Sequence, residues 1–122
     1  MNKRRTGTER EKLAAEYLAK RGMRIVETNF RCRQGEIDLI GYHQGYLVFV
    51  EVKYRHNMEK GCALEAVDIR KQRRICRVAD YYRYIHRVKA DTGVRYDVVG
   101  IQGEEILWVQ NAFPHCYADR LG

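Results

Sequence analysis

The segment GEIDLIGYHQGYLVFVEVKYR, residues 35–55, does most to indicate the fold. Its two halves, residues 36–42 and 46–54, are rich in Ile, Val, Leu, Phe and Tyr, and Gly45 lies near the centre of the connection between them. Two apolar runs joined by a short connection that contains glycine are typical of a β-hairpin. The segment therefore predicts two adjacent antiparallel strands.

The expected hairpin places two carboxylates opposite each other. With a two-residue turn at Gln44 and Gly45, Asp38 faces Glu51, and alternation adds Lys53 to the same face. Facing carboxylates destabilise a sheet unless a cation neutralises them, and Mg²⁺ is usually held by one or two carboxylates, waters and phosphate oxygens. A magnesium site is one interpretation. In the other, Asp38 is an exposed strand residue, and Glu51 and Lys53 form a charge ladder at a sheet edge.

The rest of the chain predicts an α-β-β-β-α-β-β order. We expect a helix from Thr8 to Lys20, a strand in residues 23–29, a loop around residues 56–61, a helix from Asp68 (its N-cap) to Arg87, and strands in residues 94–101 and 105–110. The predicted apolar stripes are Leu13, Ala14, Tyr17 and Leu18 in the first helix and Ile75, Val78, Ala79, Tyr82 and Ile85 in the second. One sheet with two helices packed against it, in an α+β or mixed α/β domain, follows.

Length and composition favour a single folded domain over residues 1–122. With 45% hydrophobic residues, the chain can bury a core without disulfides or metals. Its four cysteines have no CxxC or CxxH spacing, so neither a structural zinc site nor a disulfide scaffold is expected. No apolar run approaches the length of a membrane span, so we expect a cytoplasmic protein with no membrane partner.

Positive charge is concentrated in one segment. Residues 70–89 hold eight Lys and Arg against Asp80 alone, a balance equal to the net charge of +7 of the whole chain. A basic stripe on one helix is typical of a surface that binds nucleic acid, although a solvated helix face has the same composition. The candidates for contacts with backbone phosphates are Arg70, Lys71, Arg73, Arg74 and Arg77.

Three further polar residues need an explanation. Thr8 and Glu11 match a capping box, which favours a cap role for Glu11 over a role as a site carboxylate. Gln72 continues the apolar stripe of the second helix, where its amide could orient a water or bind a phosphate; otherwise it belongs to a half-exposed first turn. Asp97 is expected to pair with Arg95 or another basic group.

The chain resembles the YraN family of small bacterial proteins, which are similar to Holliday-junction resolvases. The resemblance runs from about Gly7 to Phe113 and rests on motifs in matching order: GEIDLI at 35–40, FVEVKYR at 49–55, AVDIRKQRRI at 66–75, RYDVV at 95–99 and NAF at 111–113. It implies the restriction-endonuclease-like fold of the PD-(D/E)XK nucleases, an αβββαβ core with a central mixed sheet flanked by helices.

The same resemblance implies a site and its ligands. A divalent cation, Mg²⁺ or Mn²⁺, would be bound by Glu11, Asp38 and Glu51, with Lys53 as the catalytic lysine and Gln72 at the position of a helix glutamine found in some members. The implied partner is nucleic acid, DNA in preference to RNA. The chain departs from the family pattern at Arg10 and Tyr54, where glycine and threonine are common in the family, and it has Ile37 where the PD-(D/E)XK superfamily motif has proline.

Three hypotheses follow. The first is a metal-dependent endonuclease of resolvase type, for which a homodimer would suit symmetric cutting of two strands. The second is a module with the same fold that binds branched DNA or structured RNA without cutting it. The third is an interaction protein whose basic helix meets an acidic partner.

Overall fold

The helices and strands follow the predicted order. The computed structural model describes residues 3–54 and 67–116, with side chains from Glu9 onward; the expected loop around residues 56–61 lies outside the described residues. The elements are α1 (Lys3–Lys20), β1 (Arg24–Cys32), β2 (Gly35–His43), β3 (Tyr46–Tyr54), α2 (Ile69–Ile85), β4 (Val94–Gln102) and β5 (Glu105–Phe113). Among the described helices, neither is long and apolar enough to cross a bilayer.

The strands form one mixed sheet in the order β1-β2-β3-β4-β5. Strands β3 and β4 are parallel, and the other neighbouring strands are antiparallel. A parallel pair needs a crossover connection, and α2 belongs to the connection here. This arrangement confirms a mixed α/β fold and is compatible with the αβββαβ core of the nuclease-like proteins.

Each helix covers one face of the sheet. On one face, α2 packs against a core that includes Ile40, Phe49, Val78, Tyr82 and Tyr96. On the other face, α1 packs against a core that includes Ala14, Leu18, Leu39, Val50 and Val99. Buried apolar area of this kind is the main source of folding free energy, so the two cores fix the helices to the sheet.

Two residues that were predicted to lie in the core are exposed. Leu13 is 39% exposed and Ile85 is 43% exposed. Only Ala14 and Leu18 of the predicted α1 stripe are fully buried, so the contact face of α1 is narrower than the stripe. Ile85 is the last residue of α2, where the helix leaves the core.

The predicted N-cap is confirmed for α2 and is wrong for α1. Asp68 is the N-cap of α2, as predicted, and its side chain accepts a hydrogen bond from the Lys71 backbone N–H at 2.9 Å. Helix α1 begins at Lys3, so Thr8 lies inside it. An N-cap residue lies outside the helical dihedral angles, so the capping-box interpretation of Thr8 and Glu11 is wrong.

The β2–β3 turn has the predicted length and register. Gln44 and Gly45 both have positive φ angles, 53° and 85°, as a two-residue type I′ turn requires. The pairing starts at His43 with Tyr46 and follows the predicted register. The predicted hairpin is confirmed from the turn to the Leu39–Val50 pair, but the predicted strand pair of Asp38 and Glu51 is not formed.

The β2–β3 pairing ends with Leu39 and Val50, one step before Asp38 and Glu51. Beyond that pair, β2 remains bonded to β1 as far as Gly35, and β3 remains bonded to β4 as far as Tyr54. The sheet therefore divides between β2 and β3. We call the point beyond the Leu39–Val50 pair the fork.

A buried polar network joins β4 to β5 and to the last residue of β2. Arg95 donates two hydrogen bonds of 2.9 Å to the Asp97 carboxylate, which confirms the predicted pair. Asp97 also accepts from Trp108 Nε1 at 2.8 Å and from the Asn111 backbone N–H at 2.9 Å. The Arg95 guanidinium lies 2.9 Å from His43 Nδ1 on β2. Both members of the ion pair are buried, and the network bonds satisfy them.

We predict that Asp97→Ala destabilises the fold strongly. Truncation leaves the Arg95 charge buried and unpaired, which typically costs about 3–5 kcal/mol. Urea unfolding followed by circular dichroism measures the change in the free energy of unfolding. The control is Asp91→Ala at an exposed position, where a change within about 0.5 kcal/mol is expected. A loss at Asp97 as small as that at Asp91 would contradict the role of the network.

Candidate active site at the fork

The fork brings a carboxylate from each strand to one place. The backbone N–H of Val52 donates to Asp38 Oδ2 at 2.7 Å. At this point a hydrogen bond to a side chain therefore replaces the backbone hydrogen bonds between β2 and β3. Asp38 belongs to the β1–β2 branch, and Glu51 belongs to the β3–β4 branch. The two carboxyl groups are close enough across the gap for the charge of Glu51 to raise the pKa of Asp38.

The fork opens into a polar cleft of about 340 Å³. Its lining consists of Gly35, Glu36, Asp38, Glu51, Val52, Lys53, Lys71 and Arg74. Helix α2 supplies Lys71 and Arg74, and the strands supply the rest. A Cβ atom at Gly35 would lie 3.0 Å from the aliphatic carbons of Arg74, and φ at Gly35 is 147°. Glycine is therefore required for Arg74 to lie against the β2 wall of the cleft.

Glu51 is paired with two lysines. Its side chain is only 6% exposed, and its Oε2 atom lies 2.9 Å from Lys71 Nζ and 3.4 Å from Lys53 Nζ. Burial alone would lower the pKa of Lys71, but the hydrogen bond to Glu51 and the charges of Glu51 and Asp38 outweigh it and raise that pKa. Lys71 is therefore firmly cationic.

Asp38 holds a proton more tightly than an ordinary aspartate. Burial, followed by the charge of Glu51 and the hydrogen bond with it, raises the pKa of Asp38 from 3.8 to about 8. The Val52 N–H bond opposes this shift, and the charge of Glu11 adds a smaller increase. Without a divalent cation, this raised pKa favours the protonated form of Asp38 beside the Glu51 carboxylate.

The structure brings together three of the five predicted catalytic residues. Asp38, Glu51 and Lys53 line the same cleft. Glu11 lines a separate groove on α1 and β1, although its charge reaches Asp38. Gln72 does not line the cleft, and its Nε2 atom donates to the Val67 carbonyl at 2.9 Å.

The five residues that were predicted to contact phosphates fall into two groups. Lys71 and Arg74 line the cleft, whereas the remaining three, Arg70, Arg73 and Arg77, are exposed on α2. The ion pair between Lys71 and Glu51 was not predicted. The sequence contains one signal for this ion pair. Lys71 lies four residues before the buried Ile75, so its side chain is at the edge of the helix face that the sheet covers.

A contact outside the cleft joins α1 to the end of β3. The Arg10 guanidinium lies over the Tyr54 ring, 3.9 Å from its centroid. Tyr54 follows Lys53 directly, and Arg10 precedes Glu11. This cation–π pair holds α1 beside the strand that carries Lys53.

The donor set at the fork fits a hard cation. Within residues 3–54 and 67–116, no group of three or more His, Cys, Asp and Glu side chains forms a metal cluster. Asp38 and Glu51 supply carboxylate oxygens alone, and Mg²⁺ is commonly bound by one or two carboxylates with waters and substrate phosphate oxygens in the remaining positions. The residues present therefore fit Mg²⁺ better than zinc, which prefers nitrogen and sulfur ligands.

Comparison with known proteins places the chain in a family. The model of the family described as "Uncharacterised protein family UPF0102" matches residues 10–101. The chain belongs to the UPF0102 family. This is the YraN-type group that the motifs indicated. The matched residues include every predicted site residue, from Glu11 to Arg77.

Individual relatives cover nearly the whole UPF0102 chain. A UPF0102 protein of Lachnoclostridium phytofermentans is 50% identical over 113 residues, which are 93% of this chain and 96% of the relative. One of Alcanivorax borkumensis is 43% identical over 117 residues, covering 92% and 94% of the two chains. One of Methylococcus capsulatus is 46% identical over 111 residues, covering 88% and 89%.

We predict that Asp38 makes the stability of this UPF0102 protein fall as the pH rises. Between pH 3.8 and about 8 the folded protein binds a proton that the unfolded chain has released, so the stabilisation is complete below this range and lost above it. Urea unfolding in EDTA should show wild type losing stability relative to Asp38→Asn from pH 4 to pH 8. The opposite slope of this difference would contradict the raised pKa.

Proposed function

We propose that this UPF0102 protein is a Mg²⁺-dependent endonuclease that hydrolyses phosphodiester bonds of nucleic acid, DNA in preference to RNA, in branched or structured substrates. The observation that carries the proposal is the pair of carboxyl groups at the fork, which faces Lys53, Lys71 and Arg74 across one open cleft. A site that combines acidic ligands for a cation with basic side chains for phosphate suits phosphoryl chemistry.

The residues of the cleft have distinct roles in this mechanism. Mg²⁺, when bound by Asp38 and Glu51, would lower the pKa of a coordinated water and neutralise charge on the phosphate. Asp38 must first release its proton, because a carboxylate ligates a metal in its ionised form. Lys53 lies beside Glu51 and stabilises the charge that develops on the phosphate oxygens. Glu11, whose charge reaches Asp38 from a separate groove, fits a water-mediated contact.

The exposed basic residues of α2 would position the substrate. Arg70, Arg73 and Arg77 lie on the helix that covers the cleft, and Arg74 lies in its wall. Contacts of this kind fix the position of a backbone without reading the bases. Cutting of two strands at related positions would require two copies of the chain, so we expect a dimer on the substrate.

A binding module is the second candidate function. The two lysines beside Glu51 and the proton on Asp38 already balance the charge at the fork, so the fold does not need a cation there. In this alternative the protein holds branched DNA or structured RNA through α2 and does not cut it.

We predict that wild type cuts nucleic acid with Mg²⁺ or Mn²⁺ and not with EDTA. The variants Asp38→Asn, Glu51→Gln and Lys53→Met should each lower the cleavage rate at least about 100-fold, because each removes a metal ligand or a charge that acts in the transition state. The assay compares labelled four-way junctions, duplex, single-stranded DNA and structured RNA on denaturing gels. The matched control is Asp91→Asn, an exposed acid before β4, which should cut like wild type.

Cleavage that persists equally in the three site variants would show a contaminating nuclease and contradict the proposal. The absence of cleavage by wild type on every substrate would also reject it.

The binding module predicts a different result. Affinity for branched DNA or RNA would be the same in wild type, Asp38→Asn and Glu51→Gln, and would fall steeply between about 50 and 200 mM salt as phosphate contacts release counterions. Fluorescence anisotropy over a salt series measures the slope. A flat salt dependence would reject nucleic-acid binding through α2.

A further inference from the structure

The arrangement of charges around Glu51 contains one more cation than the carboxylate needs. Lys53 and Lys71 approach the same atom, Glu51 Oε2, at 3.4 and 2.9 Å. Two ammonium groups on one oxygen repel each other, so the second adds less stabilisation than the first. The residue that lies closer, Lys71, comes from the helix and not from the strand that carries Glu51.

We propose that Lys71 is an exchangeable counter-ion: it pairs with Glu51 while the cleft holds no divalent cation and moves to a substrate phosphate oxygen when a cation binds. This inference rests on the proposed function, because it requires a cation at the fork and a phosphate in the cleft. It describes how one site couples the binding of its two ligands.

The exchange follows from competition for one carboxylate. A divalent cation held by Glu51 would compete with the Lys71 ammonium for that carboxylate, and the two positive charges would repel each other. Lys71 can leave more easily than Lys53. The Lys71 side chain is 35% exposed and lies in the first turn of α2, whereas the Lys53 side chain is 23% exposed and shares the strand face of Glu51.

The surroundings of Lys71 give its ammonium group a second partner. Arg74 lies one turn further along α2 in the same cleft wall, and Arg70 and Arg73 are exposed beside it. A phosphate backbone that approaches these arginines comes within reach of the freed lysine. Since the cation releases Lys71 for the phosphate, each ligand strengthens the binding of the other by the same factor.

The experiment measures the binding of the two ligands separately. Mg²⁺ affinity is measured by isothermal titration calorimetry for wild type, Lys71→Met, Lys71→Arg and Arg73→Met. Methionine keeps the aliphatic stem of Lys71 and removes the charge. Lys71→Met should bind Mg²⁺ about tenfold more tightly than wild type because a competing charge is gone. Lys71→Arg should restore weaker binding, and Arg73→Met, the matched control on the same helix, should bind Mg²⁺ like wild type.

Affinity for duplex DNA is then measured by fluorescence anisotropy in EDTA and in Ca²⁺. Calcium is a hard cation that takes the same oxygen ligands as Mg²⁺. A denaturing gel verifies that the strands remain intact. Lys71→Met should weaken the complex about fivefold in Ca²⁺ and leave it unchanged in EDTA, where Lys71 is held by Glu51. Arg73→Met should weaken the complex by the same factor in both conditions.

Two results would overturn the exchange. One is Mg²⁺ affinity in Lys71→Met that is equal to or below that of wild type; the other is an equal loss of duplex affinity with and without Ca²⁺, which would make Lys71 an ordinary phosphate contact.

Asp38→Asn separates this failure from that of the proposed function. If Asp38→Asn binds Mg²⁺ like wild type, no cation site exists at the fork and both proposals fail. If only Asp38→Asn loses Mg²⁺ and Lys71→Met behaves like wild type, the exchange alone fails.

Discussion

Two carboxyl groups that share one partly buried space constrain the rest of the site. Asp38 and Glu51 lie on different branches of the sheet and would repel each other if both were ionised. The protein avoids this with a proton on Asp38 and two lysines on Glu51. The position of α2 brings Lys71 within reach of Glu51, and the glycine at residue 35 leaves room for Arg74 in the same cleft.

The fork exists because the neighbouring strands hold its branches apart. Strand β2 stays bonded to β1, and β3 stays bonded to β4, for several residues after β2 and β3 have separated. The Asp97 network fixes the β4–β5 side, and an apolar core on each face anchors the helices. A site that is built between two rigid branches keeps its carboxyl groups in place without a ligand. Holding the two groups close together costs folding stability, but it places them ready for a reaction.

The sequence predicted the strands better than the helix surfaces. The turn at residues 44–45 and the alternating pattern defined the hairpin register, since a shift by one residue would move every side chain to the wrong face. Helix α1 extends back to Lys3, and Leu13 and Ile85 are exposed. Helical spacing defines a broad stripe of residues, but the neighbouring sheet decides how much of the stripe it covers.

The sequence by itself determined the order of the elements, the hairpin register and the identity of Asp38, Glu51 and Lys53 as one charged group, because these depend on local pattern and on turn geometry. Tertiary structure alone decided that β2 and β3 separate before those carboxylates, that Lys71 reaches Glu51, and that Glu11 and Gln72 lie outside the cleft. The physical reason is that these contacts join residues far apart in the chain, and their distances are set by how α1 and α2 pack on the sheet.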